Sequence, residues 1–332
     1  MAGLEEYLLF LAKGLTVVAL VVAAVGMILN SLRWERPPGV EGGQLTARPL
    51  NRHYHQLDQS VLAATEGQRA ARRYARKAAR ARRRHDDAET PRVYVLDFVG
   101  DMRASRAQTL REEVTAILSM ARAERDAVLL RLDSQGGTVP GYGLAASQLA
   151  RLREAGIPLT VSIDRVAASG GYLMACVADR IVAAPFAVVG SIGVIGALPN
   201  FNRFLRRHDI DFEQHTAGEW KRTLSLFGEN TDEAREKFRQ DLESVHRHFK
   251  GFIQRYRPAL DLEQVATGEH WLAEEALGLG LVDELGTSDD WLLQRRDDHR
   301  LVQLRYRHRE PFGQRWLKAV NSALGSRLRW LR

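Results

Sequence analysis

The chain has 332 residues, 45% of them hydrophobic, enough for one large domain with appendages or for two small ones. Its single cysteine, Cys176, excludes a disulfide within the chain, and ten histidines without HxxxH or paired-cysteine spacing give a metal site no support. The net charge of +7 is local, because nine basic residues and no acid fall between Arg69 and Arg84; the remainder is mildly acidic, so this is not a basic domain throughout.

In chain order, Gly14 to Leu32 carries no charge, and apolar residues continue back to Tyr7. A membrane span needs about 20 residues, and Lys13 can snorkel to the interface. Glu5 and Glu6 do not suit the basic start of a cleaved signal peptide. A retained transmembrane helix is expected within residues 1–32. Pro37 and Pro38 mark its exit, and residues 33–91 read as a polar, Arg-rich linker or stalk, partly helical. Its tract "RAARRYARKAARARRR" suits a solvated helix first, contact with anionic lipid second, and nucleic acid last.

At Arg92 the pattern changes to that of an α/β domain, placed at residues 92–290. "RVYVLDFVG" is an apolar, β-branched run of a buried strand. Leu110, Val114, Ile117, Leu118 and Ala121 then share one helical face. "AVLLRL", a helix around Gly143 to Glu154, "PLTVSI" and "RIVAA" continue the alternation. Repeated βαβ units and a largely parallel sheet follow. A long amphipathic helix is predicted from Asp232 to Tyr256, its stripe serving core packing or a subunit interface. Residues 291–332 read as a basic C-terminal extension.

In such a sheet, chemistry collects beyond the carboxyl ends of the strands. Two loops there are rich in glycine, "DSQGGTVPGYG" (Asp133 to Gly143) and "VAASGG" ending at Ser169, Gly170 and Gly171. Together they offer a serine hydroxyl and two backbone N–H groups, the set an acyl-transfer enzyme needs to hold a developing oxyanion. Gly170 is one donor candidate, and Gly137 or Gly136 the other. The bland alternative is that both are structural turns. A serine also needs a base. No acid stands out to orient His215, whereas Lys221 has Trp220, Leu224 and Leu226 around it. A lysine amine acts as base only when neutral, which burial favours. On spacing alone, a surface lysine beside Arg222 is the plainer reading.

The stretches "AASGGY", "APFAVVGSIGV", "TAGEWKRTL" and "GLVDELG", with "GYGLAASQL" and "PNFNRFL", resemble the signal peptide peptidase (SppA/SohB) family of membrane serine proteases, in its SohB branch. The resemblance implies a ClpP/crotonase-like α/β fold and peptide cleavage by a Ser/Lys dyad. Ser169 would be the nucleophile, Lys221 the general base, and Ser191 of "GSIGV" the hydroxyl that helps hold the lysine amine. The Gly-Gly of "SQGG" matches the oxyanion loop, with Gln135 where the family usually has proline. No cofactor is implied. Expected partners are peptide or polypeptide substrates, the lipid bilayer and other copies of the chain in a ring of about eight subunits, with no specific nucleic acid. Arg33, Arg36 and the basic tract argue for a cytoplasmic catalytic side. The resemblance implies the periplasmic face of a bacterial inner membrane, and this is the expectation retained, since long domains translocate regardless of charge. A crotonase-like thioester enzyme and an inactive membrane scaffold are the alternatives.

Overall fold

Three apolar, β-branched runs make the centre of the sheet. β2 (Arg92–Val99) pairs in parallel with β3 (Ala127–Ser134), from Val93↔Ala127 to Val99↔Asp133. β3 pairs in parallel with β4 (Leu159–Ala168). Parallel neighbours need crossovers, and these are α3 (Ala107–Met120) and α4 (Val139–Glu154). The computed structural model describes residues 13, 14 and 16, 43–85 and 89–308. The expected membrane helix and the end of the C-terminal extension, beyond residue 308, lie outside the described residues. Among the described residues no helix is long and apolar enough to cross a membrane.

Residues 45–307 form one unit. Its sheet runs in the order β1 (Gly43–Pro49), β9 (Arg300–His308), β2, β3, β4, β5 (Arg180–Ala183), β8 (Glu284–Leu285). The α/β class predicted from the alternating pattern is the architecture found. Both faces of the central strands are covered, which is why they read as continuous apolar runs. Tyr94, Leu96 and Phe98 of β2 and Leu130 and Leu132 of β3 share one core with Leu110, Val114 and Ile117 of α3 and Tyr142 and Leu149 of α4. Val93, Val95, Leu129 and Leu301 belong to a second core, closed by Trp291 and Leu292 of α10 (Ser288–Arg295) and by Leu50 and Tyr54 at the start of α1 (Asn51–Thr65).

Parts of the segments read as linker and as C-terminal extension therefore contribute to this second core. β9 hides its strand character behind alternating arginines, one of which, Arg305, pairs with Asp97 of β2 at 3.2 Å. Asn51 joins the two ends: its Nδ2 donates to the Arg296 and His299 carbonyls, and its Oδ1 accepts from the Leu301 N–H. The basic tract is helical, forming α2 (Gln68–His85). Arg69, Arg72, Arg73, Arg76 and Lys77 are exposed, while Ala71 is buried and Tyr74 donates to Asp58 of α1 at 2.5 Å.

Asp126 fixes the start of β2 against the turn after α3. Its buried carboxylate accepts from the Arg92 and Arg122 backbone N–H groups at 2.9 and 3.0 Å and from the Arg122 guanidinium at 2.8 Å. Burial alone would raise its pKa; the Arg122 guanidinium and the two N–H donors outweigh burial and hold it below the ordinary carboxylate value. A depressed folded pKa gives stability that is full above the unfolded value and is lost as pH falls through the folded one. Asp126→Asn should lower the unfolding free energy by about 2–4 kcal/mol at neutral pH. In urea titrations the gap to wild type should close as the pH drops below about 4.

Candidate active site at the carboxyl ends of β3 and β4

β4 changes partner along its length. Thr160 to Ile163 pair with β5, and Val166 to Ala168 pair with β6 (Val188–Gly190), ending at Ala168↔Gly190. The Ser169 N–H adds one more bond, to the Gly190 carbonyl at 2.8 Å. The chain then turns at once into α5 (Gly170–Ala175), with Ser169 at φ 52°, ψ −119°. A non-glycine residue held there costs about 1–3 kcal/mol. The turn puts Ser169, half-buried, on the wall of a cleft. Ser191 follows β6 in the same manner, at φ 50°, its N–H donating to the Glu269 carbonyl at 2.6 Å. Ser169 and Ser191 each follow directly on the last pair of this register, Ala168↔Gly190. Of the four described non-glycine residues with positive φ, two therefore sit side by side here, as expected where strain serves a site.

The topology was expected to bring the two glycine loops together, and it does. Gly136 has φ +89°, and a Cβ there would lie 2.7 Å from the Gly170 nitrogen and 2.8 Å from both the Ala168 carbonyl oxygen and Ser169 Cβ. Only glycine permits that approach. A Cβ on Gly170 would collide with the Tyr142 ring, and one on Gly137 with the Met102 carbonyl. The Gly136 N–H is committed to Ser134 Oγ at 3.1 Å. The Gly137 and Gly170 N–H groups donate to no acceptor among the described residues, and both residues line the cleft. Ser134 and Tyr142 were not singled out from the sequence. The available signals were a serine closing an apolar strand and a tyrosine between Gly141 and Gly143 in the first turn of α4.

The cleft encloses about 2140 Å³, room for an extended peptide rather than for one small ligand. Its far wall is α7 (Asp232–Tyr256), capped by Thr231, whose hydroxyl accepts from the Ala234 N–H at 3.2 Å. The helix has the predicted bounds. Of its stripe only Ile253 is buried, while Leu242, Val245, Phe249 and Phe252 line the cleft. The stripe is thus an apolar wall as much as a core face. Cys176 is buried after α5, and burial pushes its thiol up, away from a reactive thiolate. Among the described residues no group of His, Cys, Asp or Glu is arranged to hold a metal ion.

Lys221 lies elsewhere, exposed in a turn between β6 and α7, its N–H donating to the Gly218 carbonyl at 3.2 Å. It is not among the residues lining the cleft. His215 is exposed as well, 3.6 Å from Glu213. The segment between Ser191 and α7, which includes the short helix α6 (Asn202–Arg207), exposes Ile195, Phe201, Phe204, Ile210, Trp220 and Phe227.

Comparison with known proteins gives these features a setting. The family model "Peptidase family S49 N-terminal" matches residues 2–149, and "Peptidase family S49" matches residues 151–302. The chain is 45% identical over 318 residues to "Probable protease SohB" of Haemophilus influenzae, covering 92% of this chain and 89% of that protein. It is 52% identical over 237 residues to "Probable protease SohB" of Buchnera aphidicola subsp. Acyrthosiphon pisum, covering 71% of this chain and 70% of that protein. Among solved structures, ClpP1 from Listeria monocytogenes aligns with a TM-score of 0.38 at 14% identity, over 61% of this chain and 95% of that one. On sequence identity across nearly its whole length, the chain belongs to peptidase family S49, in the company of the SohB proteases.

Proposed function

We propose that the chain is a serine endopeptidase of ClpP/crotonase type, with Ser169 as nucleophile, Lys221 as general base, and Gly137 and Gly170 as oxyanion donors. The observation that carries this is the turn at Ser169: a strained serine ends a strand, and two uncommitted glycine N–H groups lie beside it in one cleft. Neutral Lys221 Nζ takes the Oγ proton as Ser169 attacks the peptide carbonyl. The carbonyl oxygen gains the charge, held by the two N–H groups. Collapse expels the amine, which receives the proton from Lys221, and leaves an acyl-enzyme. Water then gives a proton to Lys221 and attacks the ester; the acyl–Oγ bond breaks, Lys221 returns the proton to Ser169 Oγ, and the carboxylic acid product leaves. No cofactor enters these steps. Ser191, beside Ser169, would hold the lysine amine, and the apolar wall of α7 suits small or apolar residues around the cut.

In this reading Lys221 reaches Ser169 from a neighbouring copy. The exposed position of Lys221 and the large apolar side chains around it support an interface there. A heterologous contact that repeats closes into a ring, here of about eight subunits. Residues 1–32 would anchor the ring in a bacterial inner membrane, with the catalytic side facing the periplasm. Substrates would be signal-peptide remnants or membrane-associated polypeptides.

Ser169→Ala should reduce peptidase activity about 10³-fold or more with an unchanged unfolding midpoint; wild-type turnover by the purified variant would remove Ser169 from the reaction. Lys221→Arg should be nearly inactive although the charge is kept, because a guanidinium stays protonated and cannot act as base. Co-expressed Ser169→Ala and Lys221→Ala subunits, each inactive alone, should regain peptide hydrolysis in the mixed oligomer. No recovery despite demonstrated mixing would mean that each protomer supplies its own base.

A further inference from the structure

Tyr142 is fully buried, so its hydroxyl needs partners within the protein. It has two: it donates to the Asp101 carbonyl at 2.9 Å and lies 2.5 Å from Ser134 Oγ. A phenol has one hydrogen. With that hydrogen on Asp101, Ser134 must donate to Tyr142, and the Ser134 oxygen is left to accept the Gly136 N–H at 3.1 Å. The direction of every bond is thereby fixed, from the Gly136 N–H through Ser134 and Tyr142 to the Asp101 carbonyl. Burial pushes the Tyr142 phenol up, so it stays a neutral donor. The far end is anchored too, since the Asp101 carboxylate accepts from the Arg103 and Ser105 N–H groups at 3.1 and 2.8 Å.

The same loop is held once more, two residues on, where the Thr138 N–H donates to the Met102 carbonyl at 2.8 Å. Gly136 and Thr138 are thus committed on either side of Gly137, whose N–H alone is left over. The tyrosine also touches the second donor, because its ring packs so closely on Gly170 that a Cβ there would collide with it. Gly100 leaves room for the relay: a Cβ at that position would collide with both the Ser134 and the Tyr142 hydroxyls.

We infer that Tyr142 is a positioning residue for both oxyanion donors, through Ser134 to the Gln135–Gly136 peptide that precedes the Gly137 donor and through its ring to Gly170. The inference rests on the serine peptidase reading above. Oxyanion donors act by being oriented before charge develops. Gly136 at positive φ has more conformations open to it than other residues have; the relay fixes the peptide before it, and the Thr138 bond fixes the one after Gly137. Loss of the relay should fall on turnover rather than on substrate binding.

The test uses the full-length protein purified as its native oligomer, an internally quenched apolar peptide as substrate, and a fluorophosphonate whose phosphoryl oxygen occupies the same hole. Tyr142→Phe keeps the ring and removes the hydroxyl. It should lower kcat about tenfold to a hundredfold, less than the loss of a donor outright, with KM changed less than about twofold. Labelling of Ser169 should slow by a similar factor. Ser134→Ala should behave likewise, and the double variant should be no worse than the poorer single one, since both break one relay. Wild-type kcat in Tyr142→Phe, a loss confined to KM, or losses that multiply in the double variant would overturn the inference. If Tyr142→Phe fails to fold, Gly100→Ala carries the same test, by pushing a methyl group against both hydroxyls: reduced kcat at retained KM supports the relay, and wild-type kcat overturns it. A wild-type protein that is not labelled at Ser169, together with an active Ser169→Ala, would instead bring down the peptidase reading and this inference with it.

Discussion

β4 is shared between two neighbours on one side, and the rest of the site depends on that division. Its first half builds the sheet with β5, and its second half leaves β5 and pairs with β6. On the β3 side the register shifts between Leu132 and Ser134, so the strand can bend as it changes partner. Asp164, at the change, is stabilised by the Ser288 N–H and hydroxyl at 2.7 and 2.6 Å. Both β4 and β6 then end at the same level. That common end is what sets Ser169 beside Ser191 and brings the loop after β3 over the turn.

The crowding at this point explains why glycine is so dense in the two loops. At Gly136, Gly170 and Gly171 an added Cβ would meet backbone or ring atoms of another loop within the van der Waals limit. The strain at Ser169, about 1–3 kcal/mol, has to be offset nearby. Tyr142 is fully buried with its ring against Gly170 of the turn, and Tyr172 is fully buried three residues after Ser169; burying an aromatic side chain contributes about 1.5–3 kcal/mol. Both phenols are also satisfied, Tyr172 by donating to the Leu281 carbonyl at 3.1 Å. The turn is therefore held by the Tyr142 ring packed on Gly170 and by the Ser169 N–H bond to the Gly190 carbonyl.

Much of this was legible in the sequence where periodicity or glycine carried the signal. The central strands announced themselves as apolar runs, α7 by its stripe, and the two loops by their glycines. The second half of β4 did not, because Asp164 and Arg165 interrupt the run; only the partner exchange makes strand of them. β9 was obscured by its arginines, one of which, Arg305, turns out to pair with Asp97, and α1 by the polar residues around the few apolar ones that reach the second core. The Ser134–Tyr142 contact joins residues eight apart across a strand end and a helix start, and no spacing rule in a single sequence encodes it.

The remaining separation, between the cleft and Lys221, has a physical logic within the proposed assembly. A lysine amine works as a base when it is kept from water, yet a single copy of this chain leaves Lys221 in solvent. The side chains that expose apolar surface in the same segment, among them Trp220 and Phe227, are those an adjoining copy would cover. Covering them favours association through the area removed from water, and it dries the surroundings of the amine in the same act. One contact would then supply both the cohesion of the ring and the condition under which the base functions. In the proposed assembly, a lone protomer would carry the strained serine and the two free glycine N–H groups, and would still lack the lysine proposed to make the serine reactive.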